Sequence, residues 1–286
     1  MTRALTDRVT AVVVTFNSAH CLPALARGLA ALAHVLVVDN ASSDATQATL
    51  RRVLPQARWL PNEVNLGFGA ANNRGIAEAG TEFVLLVNPD CSFDAEAITA
   101  MVACADRFPD ASLVGPQLVN GDGRPETTYR WSTPAWVSRG PAADAPLCVG
   151  FVTGACMLIR TAALRRIGGF DEAFFLYYED DDLCLRLQRD GGTLIVEPAC
   201  RVFHRSRGSV GGPRRAQAEY LRGYHHIQSK FLFSHKHLGG AHPPWRRATY
   251  AVLAVVESAL RALLLDHRRA ARAWGRAVGA LRWSAP

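Results

Sequence analysis

The stretch HVLVVDNASSDATQATLRRVL, residues 34–54, decides the fold. Its first half is a run of apolar, β-branched residues, as expected of a strand buried on both faces of a parallel sheet. The run breaks at Asp39 and Asn40, where Ser42, Ser43 or Asp44 can cap a helix that runs to Leu54. Upstream, VTAVVVTF (9–16) reads as a strand of the same kind, and CLPALARGLAAL as a helix with Pro23 tolerated in its first turn. Downstream, ARWLP reads as a short third strand, GFGAANNRGIAEAG as a loop entering a helix, and EFVLLVNPD (82–90) as a fourth strand. DAEAITAMVACADRF adds a helix, and ASLVGPQLV and TLIVEP add strands. Strands alternating with helices predict an α/β fold with a doubly wound, mostly parallel sheet.

Such sheets bind ligands beyond the carboxyl ends of their strands. The polar residues gather there: Thr15 and Asn17 after the first strand, Asp39 and Asn40 after the second, Asn88 and Asp90 after the fourth. Asp39 can accept a hydrogen bond from a pyrimidine or a ribose hydroxyl, or it can cap the next helix. Asp90 in NPD can donate oxygen to a hard divalent cation, with Asn88 as neutral companion, or close an Asn-Pro turn. His204, in RVFHRSRGSVGG, can ligate a metal while Arg205 and Arg207 hold phosphate oxygens.

FFLYYEDDDLCLRL (174–187) raises a sharper problem. Like charges about 4 Å apart cost about 4 kcal/mol per pair near a protein surface. Leu183, Cys184 and Leu187 share one helical face, so the acids occupy the entry and first turn of a helix, where its dipole favours negative charge. Asp182 can pair with Arg186 one turn on. That accounts for two acids, and a further carboxylate at a helix mouth is a candidate general base.

The chain has 286 residues and a net charge of +7. Eight arginines face only Glu257 and Asp266 between Trp245 and Trp283, which points to an anionic partner for that part. Seven scattered cysteines without a CxxC pair argue for buried thiols rather than a zinc site or disulfide framework. Cys200 and His204 stand at helical spacing but make a poor metal pair on their own. No secretory leader is read at the start, which fits a cytoplasmic protein. NLGFGAANNRG lacks the GxGxxG fingerprint, and no P-loop occurs.

In this order the segments VVVTFN, VVDNASSDAT, NLGFGAANNRGI, LLVNPD, GACMLIR, GGFDEAFFLYYEDDDLCLRL and VFHRSRGS resemble family 2 glycosyltransferases of the GT-A fold, in the rhamnosyltransferase-like branch. The resemblance spans residues 9–210 and implies an inverting, metal-dependent hexosyltransferase using Mg²⁺ or Mn²⁺. Its donor would be a nucleotide-diphosphate sugar (dTDP-rhamnose by resemblance) and its acceptor a glycan or polyprenyl-linked glycan of cell-envelope polysaccharide synthesis. Carried over by position, Thr15, Asn17, Asp39, Asn65, Gly67, Asn72, Asn73 and Asn88 would form the nucleotide-sugar site. Asp90 and His204 would hold the metal, with Asn88 replacing the first acid of the DxD-type motif. Gly154 and Ala155 would flank the acceptor. Asp180 would be the catalytic base, supported by Glu179 and Asp182.

Residues 1–120 are expected to form the nucleotide-sugar half, 121–235 the acceptor and catalytic half, and 236–286 basic C-terminal helices. The Gly- and Pro-rich stretch 121–146, with Trp131 and Trp136, reads as an acceptor-side lid. ATYAVLAVVESALRALLL (248–265) is long enough to span a bilayer, but Glu257 and Arg261 lie at its centre and disfavour a span. Two readings remain: an interfacial helix making peripheral contact with the inner face of the plasma membrane, or a helical hairpin packed on the domain or on a second subunit in a homo-oligomer. Competing functions are a non-catalytic sugar-nucleotide or glycan-binding protein and a nucleotidyltransferase. Nucleic-acid binding is disfavoured by the lack of a docking motif.

Overall fold

The computed structural model describes residues 7–129, 141–205 and 215–285. Val9–Thr15 forms β1, followed by α1 (Leu22–Leu29), β2 (His34–Asp39), α2 (Thr46–Val53), β3 (Arg58–Pro61), α3 (Phe68–Glu78) and β4 (Phe83–Val87). After β5 (Cys91–Ser92) come α4 (Ala95–Arg107), β6 (Ala111–Val119), β7 (Leu147–Cys148), β8 (Cys156–Arg160), α5 (Thr161–Ile167), α6 (Glu179–Arg189) and β9 (Thr193–His204). Among the described residues the sheet runs β3-β2-β1-β4-β8-β6-β9-β5, with β7 paired to β9. The pairs β3-β2, β2-β1, β1-β4 and β6-β9 are parallel, whereas β8 runs antiparallel to both β4 and β6.

Burial on both faces explains the unbroken β-branched runs. Val9, Ala11 and Val13 of β1 and Val35 and Val37 of β2 pack with α1, α2 and α4 on one face. Val12, Leu36, Val38, Val84 and Leu86 pack with α3, α5 and α6 on the other. Each such valine or leucine contributes about 1.5–3 kcal/mol through burial. On the second face α3 comes so close to β1 that a Cβ at Gly75 would overlap the Val12 side chain.

Besides the two-residue strands β5 and β7, one strand and half of another go beyond what the sequence suggested. GACMLIR supplies β8, whose apolar run is too short to distinguish from a buried helix segment by periodicity. TLIVEP is only the first half of β9, which continues through Arg201 to His204 because β6 keeps pairing with it across a register shift at Pro116/Gln117. Of the stretch expected to be a lid, Trp131 and Trp136 lie outside the described residues.

The chain divides into two compact units, Met1–Asp171 with Asp180–Gly211, and Glu172–Glu179 with Gly212–Pro286. The second unit holds α7 (Arg215–Leu238), α8 (Pro244–Leu263) and α9 (His267–Arg282). Here α7 runs through residue 235, where the sequence had suggested a boundary. A Cβ at Gly223 would overlap the Arg272 carbonyl and one at Gly275 the Tyr220 carbonyl, so α7 and α9 meet backbone to backbone. The short segment 172–179 is bound within this unit. Phe175 stacks on His225 at 4.2 Å, Ser229 Oγ donates to the Leu176 carbonyl at 2.9 Å, and Tyr177 and Tyr178 both set ring edges against His226.

Candidate active site

Parallel pairing brings the ends of β1 and β2 level, with Thr15 opposite Asp39. Thr15 Oγ1 donates to Asp39 Oδ1 at 2.7 Å and Ser42 Oγ donates to the same oxygen at 2.5 Å. The Ser42 amide donates to Asp39 Oδ2 at 2.8 Å. A carboxylate has about four acceptor sites, so with these three bonds Asp39 keeps capacity at Oδ2 for one more donor. Asn17, held at φ 52°, accepts the Ser43 and Asp44 amides on Oδ1 at 2.8 and 3.2 Å, and donates its own amide to Ser42 Oγ at 2.8 Å. The expected cap of α2 does not form as drawn. The helix opens one residue later, at Ala45, which has no side-chain cap, and Asp44 Oδ1 instead accepts from the Thr46 amide at 3.0 Å.

The asparagines of the next loop organise backbone. Asn40 Nδ2 donates to the Gly67 carbonyl at 2.9 Å, and Asn65 Oδ1 accepts the Gly67 amide at 2.9 Å. Gly67 has φ 90°, a region open to glycine. Asn72 Nδ2 donates to the Phe68 carbonyl at 2.9 Å, inside its own helix. Asn73 grips Phe170 from both sides, donating to its carbonyl at 2.9 Å and accepting its amide at 2.8 Å.

Asp90 and His204 are brought together by β5 and β9, which pair antiparallel with Cys91 opposite His204. His204 Nε2 lies 3.5 Å from Asp90 Oδ1, and the Asp90 side chain is 2% exposed. The ligand atoms of Asp90, Cys91 and His204 fall within 4.8 Å of one another. Cys91 is nevertheless a poor ligand. Burial first, and then the Asp90 charge, push its thiol well above the ordinary range, and Sγ donates to the Ala155 carbonyl at 3.2 Å. A carboxylate oxygen beside an imidazole nitrogen is a donor set that fits a divalent cation. The Cys21 thiol, pushed up to about 11 by burial and then by Asp90 and drawn back by Arg205, places the start of α1 close to this pair. Arg205 is exposed, and Arg207 lies outside the described residues. Cys200, fully buried on β9, is on a strand, so its helical spacing from His204 has no meaning.

The four acids of α6 divide by environment. Asp182 is 0% exposed and binds Arg186 Nε at 2.6 Å, as the one-turn spacing predicts, while Arg186 also donates to the Ile167 carbonyl at 2.9 Å. Glu179 is buried, whereas Asp180 and Asp181 are half-exposed. Asp180 Oδ2 accepts the Gly154 amide at 2.9 Å and Oδ1 accepts the Asp181 amide at 3.0 Å. The neighbour of Gly154 reaches the other cluster: the Ala155 carbonyl accepts from the Asn88 amide at 2.8 Å as well as from Cys91. Gly154 and Ala155 therefore fasten Asp180 and the Asp90 turn to consecutive residues, at the point where β8 begins its antiparallel run beside β4.

Residues 10–168 match the sequence profile of "Glycosyl transferase family 2". The chain belongs to that family. It is 32% identical over 285 residues to the N-acetylglucosaminyl-diphospho-decaprenol L-rhamnosyltransferase of Mycobacterium tuberculosis, covering 85% of this chain and 88% of the relative. Among solved structures it resembles the mannosyltransferase PcManGT of Pyrobaculum calidifontis in complex with GDP-Man and Mn²⁺, with a TM-score of 0.60, 18% identity, and 96% of this chain and 87% of that one covered. It also resembles GalNAc-T7 with UDP, GalNAc and Mn²⁺, with a TM-score of 0.62, 14% identity, and 91% and 54% covered. The fold is thus GT-A, a mixed α/β sheet flanked by helices with a C-terminal helical extension, and the protein is a family 2 glycosyltransferase.

Two residues bonded into this candidate site carry no such role in the sequence pattern. Ser42 was weighed only as a helix cap, yet it joins Asp39 to Asn17. The available signal was its position three residues after a strand-ending Asp, where side-chain and backbone bonds close a local loop. Asn40, bonded to both Gly67 and Asn62, was noted among the polar endings but not assigned to the site.

Proposed function

We propose that this glycosyltransferase is inverting and divalent-cation-dependent. It would transfer a hexose, rhamnose from dTDP-rhamnose, to a hydroxyl of a polyprenyl-diphosphate-linked glycan. The observation that carries the reading is the fastening of Asp180 and the Asp90 turn to the consecutive residues Gly154 and Ala155. A general base and a diphosphate-binding pair must lie on either side of one anomeric carbon, and anchoring to adjacent residues limits how far that separation can vary. The rhamnosyl donor and the lipid-linked acceptor are suggested by the mycobacterial relative's name.

In this reading Asp39 and the Thr15–Asn17 turn receive the base and ribose, with the open site on Asp39 Oδ2 taking a base N–H. Asp90 Oδ1 and His204 Nε2 would hold the cation, which when bound offsets the charge of the departing diphosphate. Asp180 takes the proton of the acceptor hydroxyl as its oxygen attacks the anomeric carbon from the face opposite the nucleotide, and the nucleoside diphosphate leaves with the bonding pair. The Gly154 amide orients the Asp180 carboxylate, and a Cβ there would only touch Asp180 Cβ, at 3.4 Å.

Calorimetric titration with dTDP, UDP and GDP, each with and without Mn²⁺, tests the donor side first. Mn²⁺-dependent binding of dTDP above the others supports the reading. A folded protein that binds none of the three would favour a non-catalytic glycan-binding role instead.

A further inference from the structure

Helix α8 is inside out. Its inward side is small or polar: Ala251 and Ala254 are buried, Glu257 is bound by Arg276 Nη2 at 2.6 Å, and Ser258 Oγ donates to the Ala270 carbonyl at 2.9 Å. Its outward side is Trp245, Val252, Leu253, Val255, Val256, Leu260 and Leu263, all exposed. These positions recur at helical spacing along one broad face, about 30 Å long at 1.5 Å per residue. The apolar surface continues past the helix end through Leu264 and Leu265, which are 73% and 78% exposed. Leu265 is held at φ 57°, where glycine would be free of strain, so the chain keeps a large apolar side chain in an unfavourable backbone position. A contiguous patch of this kind marks an interaction surface.

Charge identifies the occupant. Exposed Arg246 lies beside Trp245 at one end of the face, with Arg282 on the adjoining end of α9, where Arg247 donates to the Trp283 carbonyl. Exposed His267, Arg268 and Arg269 follow the leucines at the other end. Both acids of this stretch are engaged: Glu257 with Arg276, and Asp266 as the cap of α9, accepting the Arg269 amide at 3.1 Å. The face is an apolar band between two cationic ends. A second copy laid antiparallel on it would set arginines against arginines. We infer that α8 docks in the plane of a lipid bilayer carrying anionic headgroups, its apolar face in the acyl boundary and its arginines among the phosphates. No helix among the described residues is long and apolar enough to cross a membrane, so the contact is interfacial.

The inference stands apart from the proposed transfer reaction, and its test needs no substrate. The full chain is floated with vesicles of phosphatidylcholine alone or with one-third phosphatidylglycerol, at low and high salt. Wild-type protein should rise with the anionic vesicles, bind neutral ones weakly, and lose most binding in high salt. V256E/L260E, exposed and therefore compatible with folding as checked by circular dichroism, should lower vesicle partitioning more than about tenfold. R268S/R269S should weaken only the anionic component. The inference is overturned if wild-type protein stays unbound with anionic vesicles at low salt, or if V256E/L260E binds like wild type. It is also overturned if sizing shows a dimer that V256E/L260E dissolves, which would make a second copy the occupant.

Discussion

Asp180 accepts two backbone amides and still meets solvent, which is the condition a proton acceptor needs: fixed in aim yet reachable. Asp180→Asn keeps the shape and one of the two acceptor contacts, because its Nδ2 is a donor, and removes the basic oxygen. Transfer should fall about 10²–10⁴-fold, with donor affinity in calorimetry unchanged within about twofold; wild-type turnover in this variant would falsify the base assignment. His204→Ala should abolish the Mn²⁺-dependent part of nucleotide binding while leaving the metal-free part, which Mn²⁺ titration followed by electron paramagnetic resonance would show directly. Ser42→Ala takes one bond from Asp39 and one from the Asn17 amide, at roughly 1 kcal/mol each. Nucleotide affinity should then drop several-fold or more, with little change in turnover at saturating donor. Charged residues beside buried ones were legible in the sequence because burying them unexplained is costly. The grip of Asn73 on Phe170 was not, because the two residues are 97 positions apart and no local pattern joins them.

Among the elements, β1, β2 and β4 were legible since strands buried on both faces are almost continuously apolar, and β6 remained legible although Ser112 and Gln117 interrupt it. The halves added by β8 and by the far end of β9 depend on pairing with distant partners, and local pattern carries little of that. The helical unit shows the same contrast. Its helices follow from composition, but the closeness of α7 and α9 rests on Gly223, Gly275 and Gly279, which a sequence reader takes for weak spots in helices. Gly275→Val should test this, because the new Cβ meets the Tyr220 backbone carbonyl, and backbone yields less readily than a side chain. Overpacking of this kind costs about 1–3 kcal/mol or more, and a melting temperature lower by about 5–10 °C is expected. Gly80→Ala is the matching control. Nothing lies within 4 Å of its added Cβ, so its melting temperature should stay level or rise slightly.

At the scale of the whole molecule the two units carry opposite kinds of titrating group, and acid should reach them in order. His226 is held from 6.5 down to about 4, chiefly by burial against Tyr177 and Tyr178 and further by Arg276, Lys230 and Arg272. His225 and His242 are lowered as well, burial again being the first cause. An imidazole that resists its proton when folded is protonated more readily in the unfolded chain. Stability is therefore whole above pH 6.5 and drains as pH falls towards 4. In the α/β unit the Arg8 guanidinium holds Asp106 below its usual 3.8. That contribution persists above this value and is lost only under stronger acid. Hydrogen exchange followed by mass spectrometry between pH 7 and pH 4, corrected for the intrinsic rate, should show α7, α8 and α9 losing protection while β1, β2 and β4 keep theirs. The segment 172–179, bound by His225 and Ser229, should loosen with the helices. Two of its residues, Tyr177 and Tyr178, sit at φ 70° and 66°, conformations costing about 1–3 kcal/mol each that only the surrounding contacts sustain. Since this segment runs directly into Asp180, turnover should decline across the same pH window. His226→Gln, which cannot take up the proton, should flatten the loss of protection; an unchanged profile would assign the acid sensitivity to other groups.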